Sequence, residues 1–143
     1  MTHPRDLIPH QGDMCLLERV LEWNQSSVRL SASSHRSLSN PLRETGRLRA
    51  IHLCEYGAQA MAVHGALQAQ AHGGRAQPGM LVSLRSVTFA RDFIDDLAHD
   101  LIIEANCLQA TATSLQYSFR ITHDQDVIAE GRAAVVLGVT GDG

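Results

Sequence analysis

The stretch Ala50 to Ala71, AIHLCEYGAQAMAVHGALQAQA, is long enough for about six turns of helix. Apart from its histidines it has one side chain that is charged near neutral pH, Glu55. An isolated carboxylate in apolar surroundings is expensive to bury. Desolvation raises its pKa, so it can stay protonated and serve as an acid. Gln59 stands four positions on, one turn along the same helix face, where its amide can orient the carboxylate. The first backbone N–H groups of such a helix, from Ala50 and Ile51 to Leu53, have no intrahelical acceptor. They can hold an oxygen that gains negative charge. An acid beside an oxyanion-binding helix end is apparatus for chemistry next to a carbonyl. A non-catalytic reading also exists: Glu55 satisfied by backbone N–H groups or an arginine, and Gln59 a core amide tying helix to sheet.

The helix has apolar or small residues all round, which predicts burial: Ile51, Leu53, Cys54, Ala58, Ala60, Met61, Ala62, Val63, Ala66 and Leu67. His72-Gly73-Gly74 ends it. His64, nine residues after Glu55, points to the opposite side, toward the core or a dimer contact. Ahead of the helix, Met14 to Trp23 and Ser27 to Ser33 read as two strands joined by the turn Asn24-Gln25-Ser26-Ser27. Residues 35–49 read as a loop, with Pro41 and Thr45-Gly46 as turn signals. After Pro78-Gly79, four long segments read as strands, 81–93, 101–110, 114–123 and 127–139, with hairpin connections such as Asp124-Gln125-Asp126. One helix and about six antiparallel strands can bury that helix if a curved sheet wraps around it, an α+β fold in a single domain over 1–143.

Composition excludes several chemistries. All twelve basic residues are arginine, so no lysine is present to form a Schiff base. A net charge of −3 speaks against a nucleic-acid footprint. The three cysteines, Cys15, Cys54 and Cys107, form no CxxC pair and read as free thiols of a soluble, cytoplasmic protein. No two histidines stand four apart or in an HxH pattern, so no metal site is expected, and no cofactor is indicated. The first fourteen residues lack a signal-peptide run, and the glutamate, histidines and glutamines of the helix argue against a membrane span.

Three segments carry a resemblance. Leu7-Ile8-Pro9-His10 followed by Leu16-Leu17-Glu18-Arg19-Val20 is similar to an "LPH…LLVDRV" opening strand. Glu55-Tyr56-Gly57-Ala58-Gln59 resembles a helix motif "E-a-x-A-Q". Leu84 to Phe93 with Val127-Ile128-Ala129-Glu130-Gly131 resembles two further strands. In this order they resemble the hot-dog 3-hydroxyacyl-carrier-protein dehydratases, and over nearly the whole chain. Gly46-Arg47-Leu48-Arg49-Ala50 adds a likeness to the small dehydratases of aryl-polyene pigment clusters. The family's loop histidine, fourteen residues before the carboxylate, is absent: that position is Pro41, beside Asn40.

The resemblance implies loss of water from a 3-hydroxyacyl thioester to give a trans-2-enoyl thioester. Glu55 would be the acid and Gln59 its orienting partner, with the base ranked His10, then His35, then His52. It implies an acyl carrier protein with a pantetheine-linked chain as partner, met by Asn40, Arg43 and Arg47, with Ala50 and Ile51 at the thioester oxygen. It implies a homodimer, or pairing with a second hot-dog chain. A thioester hydrolase and a non-catalytic partner subunit are the alternatives.

Overall fold

The computed structural model describes residues 3–10, 12–74, 77 and 79–138. Pro78 and Val139, named above at strand boundaries, lie outside them. Among the described residues, six strands form one sheet: β1 (Arg19–Trp23), β2 (Ser27–Ala32), β3 (Gly79–Phe89), β4 (Leu101–Ala110), β5 (Ser114–His123) and β6 (Asp126–Leu137). The order across the sheet is β1-β2-β4-β5-β6-β3, antiparallel at every pair. The helix α1 runs Leu53–Ala71, after a 3₁₀ turn over Ala50–His52. It packs on β2, β4 and β5. This is the hot-dog arrangement, a curved sheet around one long helix.

The local chemistry explains the hairpins. Asn24 Oδ1 accepts from the backbone N–H groups of Ser26 and Ser27, both at 2.9 Å, and closes the β1–β2 turn. Between β5 and β6, Asp124 and Gln125 both take positive φ, 50° and 72°, the geometry of a two-residue hairpin turn. Just past the end of α1, Gly73 takes φ 76°, where a side chain would be strained, and the Gly74 N–H bonds back to Ala69.

The core is a seam of alternate strand residues against one helix stripe. Leu30, Ala32, Leu101, Ile103, Ala105, Tyr117, Phe119 and Ile121 meet Leu53, Tyr56, Ala60, Val63 and Leu67, all buried. Phe119 is wedged between two glycines. A Cβ on Gly57 would come within 2.9 Å of its ring, and one on Gly131, its cross-strand partner, within 3.0 Å. Gly65 differs: a Cβ there meets nothing within 4 Å.

Two boundaries and one burial pattern differ from the sequence reading. Met14 to Glu18 is not strand: Gly12–Met14 is a 3₁₀ turn, and β1 begins at Arg19. The reason is that Met14 and Leu16 turn their backbone polar groups to a side chain on α1 rather than to the sheet. The 81–93 segment ends at Phe89, because its last residues leave the sheet and Asp92 accepts from the Ala50 N–H. The helix is also not buried all round, since Ala62 and Gln70 are exposed.

Two histidines in the core are fully buried, His35 and His64. The Nε2–H of His35 donates to the Leu97 carbonyl at 3.0 Å. His64 donates from Nε2 to the Asn24 carbonyl at 3.0 Å, so its Nδ1 accepts from the Tyr117 hydroxyl at 2.7 Å. Burial holds both pKa values below the ordinary 6.5.

Two outcomes are expected. Gly57→Ala is destabilising by about 1–3 kcal/mol through overpacking against Phe119, despite alanine's helix preference, whereas Gly65→Ala is neutral or stabilising by up to about 1 kcal/mol; chemical denaturation of both variants checks this. Stability is full above about pH 6.5 and falls as the pH drops below it, because the unfolded chain takes up protons that folded His35 and His64 resist. The slope approaches about 2.7 kcal/mol per pH unit if both contribute. Melting curves between pH 7.5 and 5 read it, and a flat profile would show that neither imidazole is held neutral.

Candidate active site

Glu55 lies in the first turn of α1. Its Oε1 is the meeting point of two side chains. His10 Nε2 stands 3.2 Å away and the Gln59 amide nitrogen 3.3 Å away. His10 comes from the segment between two 3₁₀ turns, Pro4–Asp6 and Gly12–Met14. Ile8 anchors that segment in the core, and Gln59 fixes the residues that follow it. Its Oε1 accepts the Leu16 N–H at 2.9 Å and its Nε2 donates to the Met14 carbonyl at 2.8 Å. Gln59 is 1% exposed, so both bonds are shielded from water. The amide therefore acts as core tie and carboxylate partner together.

The pair is less enclosed than the sequence implied. The Glu55 and His10 side chains are 37% and 30% exposed. They form one end of a groove of about 740 Å³ between the open stripe of α1 and the sheet. Its helix side is Ala58, Ala62, Gly65 and Ala66; its sheet side is Leu81, Leu115, Tyr117, Val135 and Leu137.

The remaining expected site residues have other work. The Ala50 N–H donates to the Asp92 carbonyl at 2.8 Å, and the N–H groups of His52 and Leu53 are taken by the 3₁₀ turn. The helix entry is thus not the open set of donors that was expected, and Ala50 is not free to hold an oxyanion. Ile51 presents a side chain 60% exposed. Asn40 is 5% exposed, with its amide nitrogen on the Ser34 carbonyl at 2.9 Å and the Tyr56 hydroxyl at 3.2 Å. Its Oδ1 accepts from Leu42. Arg43 donates to three loop carbonyls, Ser37 and Gly46 at 2.7 Å and His35 at 3.2 Å. Arg47 is clamped on Asp95 at 3.0 Å and lies over Phe93, 4.1 Å from the ring centre. These three fix the 34–49 loop rather than face the groove. His35 is spent on Leu97, and among the described residues His52 forms no hydrogen bond or ion pair with Glu55, so His10 is the imidazole that the fold brings to the carboxylate.

Sequence reasoning missed the sheet wall of the groove. Tyr117 and Leu115 are alternate residues of β5 and could have been placed on the inner face by period alone. No metal cluster occurs among the described residues. Nor is any helix among them long and apolar enough to cross a membrane.

If Gln59 holds the His10 segment, Gln59→Leu leaves the Leu16 N–H and Met14 carbonyl unpaired. The expected cost is about 2–3 kcal/mol, with faster amide exchange at Leu16 than at the β5 core. Unchanged protection at Leu16 would show that the segment is held otherwise.

Comparison with known proteins follows the same lines. Among solved structures, the dehydratase heterocomplex ApeI:P from Xenorhabdus doucetiae has a chain 20% identical, matched over 99% of this chain and 94% of that one with a TM-score of 0.88. A zebra fish thioesterase superfamily member 2 is 18% identical over 94% and 93%, TM-score 0.64. A protein from Streptococcus pneumoniae titled a hypothetical thioesterase, solved with coenzyme A, is 12% identical over 83% and 84%, TM-score 0.61. At these identities the likeness is one of fold. No curated protein matches the chain. A family model does, ApeP-like (ApeP dehydratase), over residues 2–138, and with nearly the whole sequence inside it the chain belongs to the ApeP-like dehydratase family.

Proposed function

We propose that this dehydratase-like chain removes water from 3-hydroxyacyl thioesters presented by an acyl carrier protein in polyene biosynthesis, with His10 and Glu55 as its acid–base pair. The observation that carries the reading is the 3.2 Å contact between His10 Nε2 and Glu55 Oε1 at the end of an apolar groove. The pair needs one proton between them. Neutral His10 accepts the proton from C2 of the acyl chain, and protonated Glu55 gives its proton to the departing hydroxyl on C3. The C2–H electrons become the C2–C3 double bond, and water leaves. The pair then stands as imidazolium and carboxylate, and the proton crosses the 3.2 Å contact to restore the starting state. This arrangement makes the loop histidine unnecessary: Pro41 occupies its sequence position, and the 34–49 loop is closed by Asn40 and Arg43.

A second feature supports pairing with another hot-dog chain. β3 is an edge strand whose Met80, Leu81, Val82, Leu84 and Phe89 are 37–53% exposed. The similar structure from Xenorhabdus is, by its title, part of a heterocomplex. A partner on this edge would stand beside the groove wall that Leu81 forms.

Mass spectrometry of a 3-hydroxyacyl-carrier-protein tests the chemistry. Dehydration by the wild type is expected, with or without a co-expressed second hot-dog chain. Glu55→Gln and His10→Ala should each lower kcat by about 10²–10⁴. The double variant should be no worse than the poorer single one, because the two act as a unit. Release of the free acid instead would favour thioester hydrolysis. Full activity in both single variants would remove the pair from the mechanism.

A further inference from the structure

Resting on the reading that a second hot-dog chain pairs along β3, we infer that Arg85 and Arg132 choose that partner: they repel a second copy of this chain and admit a different chain whose edge strand carries a carboxylate on its outer face. The face of the sheet turned away from α1 is ordered in rows that run from strand to strand. One row is Glu22, Arg29, Glu104, Arg120 and Glu130, each opposite the next, so the sign of charge alternates from β1 to β6. Glu22 meets Arg29 at 3.1 Å, and Arg120 meets Glu130 at 3.4 Å. The row ends on the neutral Thr88 of β3. The adjoining row breaks the pattern. It runs Asn106, Ser118, Arg132 and Arg85, which sets two arginines directly opposite each other at the edge of the sheet. Like charges so placed are destabilising. Both arginines are exposed, and among the described residues neither forms an ion pair; Arg85 donates to the neutral Gln116 Oε1 at 3.1 Å. The neighbouring carboxylate, Glu130, is engaged by Arg120.

Two observations place the missing charge beyond the edge. The first is position. β3 ends the sheet, so the open side of Arg85 faces the strand that a partner would add. Continuing the row onto that strand brings a side chain within about 5.5 Å of Arg85, and a carboxylate there restores the alternation. The second is composition. β3 reads GMLVSLRSVTF, with Arg85 as its one charged residue and no Asp or Glu. When β3 of one copy lies beside β3 of another, no register, parallel or antiparallel, sets a carboxylate of that strand opposite Arg85. The arginine pairs of both copies then gather on one continuous face. The exposed apolar side chains of the edge attract strands of many kinds, and the arginine pair decides which of them is kept. The partner is therefore a hot-dog chain with Asp or Glu on the outer face of its own edge strand.

Copies of the full chain supply the test. An Arg85→Glu/Arg132→Glu copy presents an edge of the same shape with the opposite charge. Sedimentation compares self-association of the wild type, self-association of this copy, and association in an equal mixture of the two; amide exchange locates the contact. Opposed and matched cross-strand charges each shift pairing by roughly 1.4- to 5-fold. The mixture is therefore expected to associate with a Kd about ten- to a hundredfold below that of either chain alone. In about 1 M salt, where the screening length is about 3 Å, that preference should vanish. An Arg85→Gln/Arg132→Gln copy loses the repulsion without gaining acids, so it should self-associate more tightly than the wild type. That copy carries the test if the acidic one does not fold. Equal Kd values for wild type, variants and mixture, with β3 amides protected on association, overturn the inference while the edge still pairs. Association that leaves β3 amides unprotected, or no association in any sample, removes the edge reading itself and the inference with it.

Discussion

One glutamine amide organises the site. A carboxamide has the same donor–acceptor spacing as a peptide group, so Gln59 can pair with backbone as a strand would, through Leu16 and Met14. Among the described residues, the chain before β1 forms only short 3₁₀ turns, with Ile8, Leu16 and Leu17 buried in the core. Pairing it to a side chain in the middle of a helix fixes that approach as a defined wall, and His10 is part of the wall. Glu55 is then met from two directions, by its own helix through Gln59 and by the N-terminal segment through His10. Helix, approach and the His10–Glu55 contact are linked through one amide that sits where water cannot compete for its bonds.

The 34–49 loop is built on a similar economy of side chains. Arg43 gathers three carbonyls, and Asn40 joins the Tyr56 hydroxyl, which also meets Ser34 Oγ at 2.7 Å. A loop with few regular backbone bonds needs side chains to satisfy its polar groups. The residues that looked available for a ligand are therefore the ones that hold the loop shut. Arg47 follows the same logic, since its carboxylate partner Asp95 also accepts the Leu48 N–H at the helix entry.

Much of this was legible in the sequence. The helix stood out by its missing charges, β2 by alternation, β4 and β5 as long strand-like segments after Pro78-Gly79, and the hairpins by Asn24 and Asp124-Gln125. The hot-dog arrangement followed from one apolar helix and six strands. Glu55, Gln59 and His10 were singled out because a lone carboxylate demands an explanation and because the opening motif put a histidine near the helix. What could not be read were partners chosen in three dimensions. Periodicity cannot say that Leu16 pairs with a side chain 43 residues away rather than with a neighbouring strand. Nor can it say that the Ala50 N–H is claimed by Asp92, or that an arginine in a loop faces inward. Residue type announces capacity for a bond, and the tertiary fold decides which bond is made.

The edge strand β3 has a further consequence. Its register against β6 slips twice, between Leu81 and Ser83 and between Arg85 and Thr88, and Ser86 there takes a left-handed φ of 54°. Both slips put the extra residue on β3, so each bends the strand and breaks its outward row of N–H and C=O groups into short lengths. A straight apolar edge would template strand after strand without limit. A doubly kinked one presents a keyed profile that only a chain with matching bends can meet. Growth by generic strand addition is thereby blocked at the geometry of the backbone, even though the side chains along that edge are oily enough to invite it.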